Sequence, residues 1–309
     1  MKRMASDYCK HHFKNFNNSY KDFAPYLAVM NLLTSLCAMF LNALVIITIW
    51  KTPPLHTPSR LLLCSLALTD FCVGAFVQTF IVMFSVAAIV HWPNVLCISL
   101  GTSFRIGYSL GGISLATLTA ISSDRYLAIK TKTAYRTLVT MKRITIFLLF
   151  CWTSVTCAII LLFEVFYQLL MIVSAATAAL CLAIILILTV KSFRILKRQT
   201  LQVSATNAND SISIRTPDIN VFKYKRSLIT MMMILAAILG SYLPFTVFSI
   251  MELFMSPSFG VMDLLKIYLS YFLVVSNSTL NPIIYLWRMT ELRQAAKHWL
   301  CCNSFNSAN

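Results

Sequence analysis

Asp70 stands in the middle of an apolar run, in Leu66-Ala67-Leu68-Thr69-Asp70. A carboxylate at the centre of a bilayer costs roughly 2.5–3.5 kcal/mol on insertion scales, so such residues concentrate where they have a task. Asn42, Ser114, Asn277, Ser278 and Asn281 lie in three other apolar runs and could meet it. A carboxylate among neutral oxygens suits a small cation such as sodium. The alternative is a protonated carboxyl in a hydrogen-bond network, because neutralisation also removes the cost of burial. A second group, Asp124-Arg125-Tyr126, closes the third apolar run. Its simplest reading is an interfacial ion pair whose long side chain reaches to water. A third group is Asn281-Pro282-Ile283-Ile284-Tyr285. Proline removes a helix hydrogen bond and kinks the chain. Such a kink works as a switch only if it has two discrete states.

Other chemistries find little support. His11, His12, His56, His91 and His298 all lie outside the apolar runs. An intramembrane serine hydrolase with a histidine base, or a histidine metal site, is therefore not expected, and the chain is read as a non-enzyme. Of the ten cysteines, only Cys9, Cys97, Cys301 and Cys302 fall outside or near the ends of apolar runs. Cys9 and Cys97 either pair or remain free thiols. Cys301-Cys302 follows an amphipathic stretch and suits palmitoylation, against the alternative of two idle thiols. Asn17-Asn18-Ser19 is a glycosylation sequon.

The elements that must carry these groups are membrane helices. Apolar residues make up 58% of the 309 positions and charged residues 12%, against about 25% charged in soluble domains. The net charge of +16 does not indicate nucleic acid, because the basic residues sit between apolar blocks rather than in a stripe with exposed aromatics. Seven spans are expected, at about 25–50, 59–88, 95–129, 144–163, 168–195, 227–254 and 264–287. A tail (1–24) precedes them, and an amphipathic helix with a short tail (288–309) follows. From Ile144 to Val190 the only formal charge is Glu164. A run of that length would be about 70 Å of helix against a core of about 30 Å, so it holds two spans joined by a tight turn. Nineteen Lys/Arg residues lie on the side of Asp124-Arg125-Tyr126 and seven on the other. That bias puts the carboxyl terminus in the cytoplasm, although the five-basic amino-terminal tail argues the reverse locally.

Read in chain order, these residues resemble the rhodopsin-like (class A) G-protein-coupled receptors. Asn42, Leu66 to Asp70, Asp124-Arg125-Tyr126, Trp152, Pro244 and Asn281-Pro282…Tyr285 match motifs of six of the seven helices in order and spacing, over about residues 25–302. The resemblance implies an all-α seven-transmembrane bundle with a short eighth helix. It implies a plasma-membrane receptor, amino terminus outside, linking an extracellular ligand to a heterotrimeric G protein, with membrane lipids around it. It implies a sodium pocket of Asp70, Ser114, Asn277 and Ser278. It also implies a switch in which Arg125 leaves Asp124 for the partner while Tyr285 swings inward.

The departures from the family pattern lie at the opposite end. The second extracellular loop is nearly absent and lacks cysteine, and Cys97 falls three residues before the expected position. The fifth-helix proline and tyrosine are missing, and Tyr242 replaces the sixth-helix tryptophan. A minimal second loop is similar to the melanocortin, cannabinoid and adenosine-like group. Val275 stands where an opsin has its lysine, and Gly107 where aminergic receptors have an aspartate. The long cysteine-rich loop of odorant receptors is also absent. The expected pocket is lined by Phe104, Gly107, Tyr108, Gly111, Gly112, Tyr242, Phe245 and Phe248. It suits a lipid-like or small apolar ligand, with a peptide as the other class. The alternative for the glycines is close helix packing. Arg105 pairs with an anionic ligand, with Glu164 or Glu252, or reaches the headgroups. The rival classes are a seven-helix transporter and a receptor-like protein with atypical or constitutive signalling. A transporter would show internal repeats and broken helices at mid-membrane, and neither is visible.

Overall fold

The computed structural model describes the backbone of residues 2–131, 134–163, 167–209, 218–254 and 261–306. Side chains are described for 22–131, 134–161, 169, 172–198, 229, 232–248, 251 and 268–299. Every regular element among them is helical: α1 (Lys2–Lys51), α2 (Pro58–Cys72), α3 (Thr79–Ile89), α4 (Pro93–Thr131), α5 (Tyr135–Leu138), α6 (Met141–Phe163), α7 (Tyr167–Asn209), α8 (Asp218–Phe254), α9 (Val261–Arg288) and α10 (Thr290–Asn306). A π-turn, Val73–Gln78, joins α2 to α3 without a break, so the two form one long helix. In lipid every backbone polar group needs an internal partner, and a helix supplies it within the segment.

Local chemistry sets the ends. Thr57 caps α2, accepting a hydrogen bond from the Arg60 amide at 3.4 Å, and Pro58 opens the first turn. At the end of α3, His91 has a positive φ of 60° and the Trp92 amide bonds back to the Ala87 carbonyl at 2.9 Å. This is the left-handed cap that closes many helices, here without glycine. Pro93 then starts α4. Helix α6 ends at Phe163 and α7 begins at Tyr167.

The π-turn shapes the entry to the bundle. It releases the Gly74 carbonyl, which accepts from Ser35 Oγ of α1 at 2.9 Å. Gly74 allows this approach, since a Cβ there would lie 3.0 Å from the Ser35 carbonyl oxygen and 3.2 Å from Ala38 Cβ. Gln78 Nε2 then donates to Thr34 Oγ1 at 2.8 Å.

The helices close a ring in which α1 packs on α2, α3 and α9, α9 on α8, and α8 on α7. α4 runs through the middle, against α2, α3, α6, α7 and α8. α10 turns back across α1 and α9. One apolar core, including Leu62, Leu66, Leu118, Leu235, Ile238 and Tyr285, fills the half nearer Arg125. Another, including Val77, Ile81, Leu110, Tyr271 and Val275, fills the half nearer Cys97. These are called below the Arg125 half and the Cys97 half. Outward faces are apolar as well: Phe40, Phe150, Leu161 and Leu180 are all exposed. In water such a surface would aggregate, whereas in lipid it is solvated. Trp50, Trp92 and Trp287 stand exposed at helix ends, as in the aromatic belts of membrane proteins.

By length and composition four segments among the described residues qualify as spans: Asp22–Lys51, Pro58–Ile89, Met141–Leu161 and Ile172–Arg198. Met232–Phe248 of α8 is a shorter apolar stretch. α4 and the described part of α9 do not reach that hydropathy, because they carry the polar residues that face the interior: Ser99, Ser103, Ser114 and Thr117 on one, Asn277, Ser278 and Asn281 on the other.

Candidate functional site

The Asp124-Arg125 pair forms at the end of α4, with Arg125 Nη2 3.3 Å from Asp124 Oδ2. Asp124 is buried and Arg125 is partly open. Two further groups hold the carboxylate. Ser59 of α2 donates to Oδ2 at 2.8 Å, and the Tyr135 hydroxyl of α5 donates to Oδ1 at 2.5 Å. Ser59 and Tyr135 also lie 2.9 Å apart. A buried carboxylate is tolerable only with such partners.

Burial, then the hydrogen bond to Asp124, pushes the Tyr135 phenol from 10.0 up to about 12. The raised value means that the folded state favours the protonated phenol. Its contribution to stability is complete below pH 10 and is lost as pH rises toward 12. Tyr135 is therefore a fixed donor throughout the neutral range. Tyr126 takes no part in this cluster: it is half-buried, with Lys130 Nζ 5.5 Å from its ring centre.

Beside this cluster Arg60 of α2 donates to Glu291 Oε2 at 2.8 Å and lies 3.6 Å from Met289 Sδ. The contact ties α2 to the first turn of α10. Tyr285, one turn earlier, is buried in the core of the Arg125 half, and its hydroxyl has no hydrogen-bond partner.

Pro282 lies within α9, and Asn281 beside it donates Nδ2 to Asp70 Oδ2 at 2.8 Å. Ser278 lines the same cavity as Asp70. Asn42 Nδ2 donates to the Ala38 and Ser278 carbonyls at 2.8 and 3.0 Å, fastening α1 to α9. Trp152 Nε1 reaches Ser65 Oγ at 3.4 Å, between α6 and α2. Pro244 is inside α8. Asp70, Ser114, Asn277 and Ser278 all line one cavity of about 30 Å³, together with Gly107, Gly111, Tyr242 and Tyr271. That is room for about two waters, or for an ion with one. The Asn277 and Asn281 Oδ1 oxygens are buried without a hydrogen-bond partner. Neutral acceptors left over beside a carboxylate are the donor set a small hard cation takes.

In the Cys97 half Gly107, Gly111 and Tyr242 of the expected pocket border only the small cavity that runs to Asp70. Tyr271 of α9, absent from the expected lining, borders it as well. Phe104 and Phe245 pack on the Tyr271 ring, with centres 4.8 and 5.8 Å away, and Phe104 also meets Tyr108 at 6.4 Å. Gly107 is taken neither by a ligand-sized space nor by a neighbouring backbone, since a Cβ there would lie 2.5 Å from the Tyr271 hydroxyl. A Cβ on Gly111 would lie 3.7 Å from the Tyr242 hydroxyl, an ordinary contact. Gly112, expected in the pocket, faces α6, where a Cβ would be 3.0 Å from Val155 Cγ1. Phe248 is half-buried further along α8, and Arg105 is exposed.

Cys97 is disulfide-bonded. Cys37, Cys64, Cys72, Cys151, Cys157 and Cys181 are free. The side chains of Cys9, Asn17, Glu164, Glu252, Cys301 and Cys302 lie outside the described residues. No group of three or more His, Cys, Asp or Glu gathers as a metal site among the described residues.

Ser59, Arg60, Tyr135 and Tyr271 carry no mark in the sequence. Each acts through a partner at least 65 residues away, apart from Tyr135, which lies 11 residues beyond Asp124 on the other side of a turn.

A helical bundle with a buried aspartate at its centre and a paired Asp-Arg at one end is the architecture of a seven-helix membrane receptor. The sequence profile described as 7 transmembrane receptor (rhodopsin family) matches residues 41–285, and the chain belongs to that family, whose members are receptors rather than enzymes. It is similar to the trace amine-associated receptor 9 of Mus musculus, 28% identical over 296 residues, 86% of this chain and 81% of the relative. It is similar to the melanocortin receptor 5 of Mus musculus, 25% identical over 292 residues, 87% of this chain and 82% of the relative. The adenosine receptor A3 of Ovis aries is 32% identical over 123 residues, 40% of this chain. The chain spans 37% of the length of that adenosine receptor.

Proposed function

We propose that the chain is a plasma-membrane G-protein-coupled receptor with the Arg125 half facing the cytoplasm and the amino terminus outside. The observation that carries this is the closed cluster of Arg125, Asp124, Ser59 and Tyr135 at the end that also bears most of the Lys/Arg residues. An Arg held by a carboxylate that is itself held by α2 and α5 is a resting arrangement. Release of Arg125 exposes a cation to a partner, and the same step frees α2, α4 and α5 from one another. A ligand that favours the released arrangement shifts the population by its difference in affinity for the two states.

Sodium in the Asp70 cavity is the second part of the reading. Asp70, Ser114, Asn277 and Ser278 would hold it, with the orphaned Asn277 Oδ1 in the cavity wall as the support for the assignment. The ion supplies a positive charge that compensates the buried carboxylate.

The relatives are named for adenosine, trace amines and melanocortin, and these do not agree on a ligand class. The residues near Tyr271 favour a small neutral or lipid-like ligand, because apart from Asp70 no charged side chain lines the two cavities of this region. Glycosylation at Asn17, palmitoylation at Cys301 and Cys302, and a bridge from Cys9 to Cys97 belong to the same reading. Peptide mapping of the unreduced protein tests all three.

The decisive experiment is nucleotide exchange with purified receptor in lipid nanodiscs and each class of heterotrimeric G protein, with and without a ligand library. Acceleration with one class is expected. A protein that accelerates exchange in no combination refutes the proposal.

A further inference from the structure

Tyr271 is 6% exposed and sits beside α4, α8 and the π-turn Val73–Gln78. Its hydroxyl lies 3.3 Å from Ser103 Oγ and donates to the Ser103 carbonyl at 3.2 Å. The ring is enclosed by Phe104 and Phe245. The hydroxyl fits only because residue 107 lacks a Cβ, which would come within 2.5 Å. Tyr271 also separates two small spaces. One, of about 30 Å³, leads down to Asp70; the other, of about 10 Å³, is lined by Asn31, Phe84, Tyr268 and Phe272. A drug-sized ligand needs about 300 Å³ or more. Neither space approaches that, and Tyr271 is a wall common to both.

We propose that Tyr271 is a built-in occupant of the ligand pocket. The ligand is a neutral, ring-sized molecule with one hydroxyl, which displaces the phenol and takes over its bond to Ser103 and its seat at Gly107. The inference rests on the reading of this chain as a receptor for a small ligand. Its chemistry follows from what Tyr271 itself satisfies. The seat offers aromatic faces, a serine hydroxyl and a carbonyl, and no side-chain charge contacts the phenol. A carboxylate placed there would be a buried charge without a partner, and the one charged side chain of the adjoining cavity, Asp70, would repel it. The seat is also tied to the state of the molecule. With Tyr271 in place α9 is held to α4 and α8, and Arg125 is paired with Asp124. The seated phenol therefore belongs to the resting arrangement, and its departure loosens three helices at once.

The test replaces the occupant. In Tyr271→Ala, 4-methylphenol stands in for the missing side chain and toluene serves as the control without a hydroxyl. Basal nucleotide exchange per mole of folded receptor is expected to rise at least threefold in the variant, and 4-methylphenol to return it toward wild type. Toluene should not. The thermal midpoint of the variant should rise by several degrees with 4-methylphenol, with the wild type unmoved. Gly107→Ala provides a second route that keeps the phenol but takes its seat. It should raise basal exchange as well, and Gly107→Ala combined with Tyr271→Phe, which removes the clashing hydroxyl, should undo most of that rise. The proposal is overturned if both single variants exchange at the wild-type rate, or if toluene restores Tyr271→Ala as well as 4-methylphenol does. Absence of exchange in every protein, wild type included, instead overturns the receptor reading on which the proposal stands.

Discussion

At the Arg125 end, Asp124 is met by a guanidinium, a serine hydroxyl and a phenol, and Arg60 by a carboxylate. At the Cys97 end, Tyr271 is met by two aromatic rings, a serine and the bare α-carbon of Gly107. One end handles charge and the other handles shape. A charge in a low-dielectric setting demands a partner of fixed type, since losing one partner leaves the other unpaired at a cost of several kcal/mol. Shape is less demanding of residue type: any combination of side chains that fills the volume serves, with modest differences in stability. The charged end therefore constrains residue type, while the shaped end constrains volume. Asp70 lies between them: Asn281 donates to it, and it shares a cavity with Ser278, Tyr242 and Tyr271.

Substitutions can break this contrast or sharpen it. The largest effect is expected from Arg125→Ala, which removes the cation that the proposed switch offers to the partner. Exchange on the G protein should fall about a hundredfold or more, as for the loss of a charge-assisted contact. A variant that still signals would show that the switch lies elsewhere. Asp70→Asn comes next. Sodium at about a hundred times its dissociation constant should stabilise the wild type by about 2.7 kcal/mol and leave the variant unchanged. Equal thermal shifts in sodium and in an equal concentration of choline would remove the ion from the account.

Gly74→Ala tests packing rather than charge. Its Cβ meets the Ser35 carbonyl at 3.0 Å and Ala38 at 3.2 Å. A loss of about 1–3 kcal/mol is expected from such overpacking, read as a lower melting point with signalling intact in the surviving fraction. Tyr135→Phe deletes one donor to Asp124 at a half-open site. We expect about 1 kcal/mol, or roughly a fivefold rise in basal exchange, as the carboxylate loses its orientation toward Arg125. No change would reduce α5 to a passive loop helix. The smallest effect is assigned to Trp152→Phe. Its bond to Ser65 is long at 3.4 Å, so about 0.5 kcal/mol of stability, and no change in exchange, is expected.

Much of the fold could be read from the chain because lipid imposes a simple rule of apolar length. α4 and the described part of α9 are less apolar than the other spans, since their inward faces carry serines and asparagines that dilute the hydropathy. Those same residues made the interior legible, because a polar group inside an apolar run has to be compensated. Asp70, Ser114, Asn277 and Ser278 line one cavity, and Asp124 with Arg125 forms one pair. Tyr126, the third residue of that motif, turned out to sit apart from the pair, over Lys130.

What the sequence determined by itself is the set of groups that must be buried or paired: apolar runs long enough to span, a carboxylate at mid-membrane, an Asp-Arg pair at a helix end. Each follows from a large cost borne by a single residue, and so is visible in that residue and its near neighbours. What only the tertiary structure decided is which distant groups meet. Arg60 finds Glu291 across 231 positions, and Tyr271 finds Ser103 across 168. Gly107 reads as helix packing or ligand space until α9 places a phenol over it. Such contacts are set by many small packing terms summed over neighbouring helices, each too weak to leave a signature in the chain.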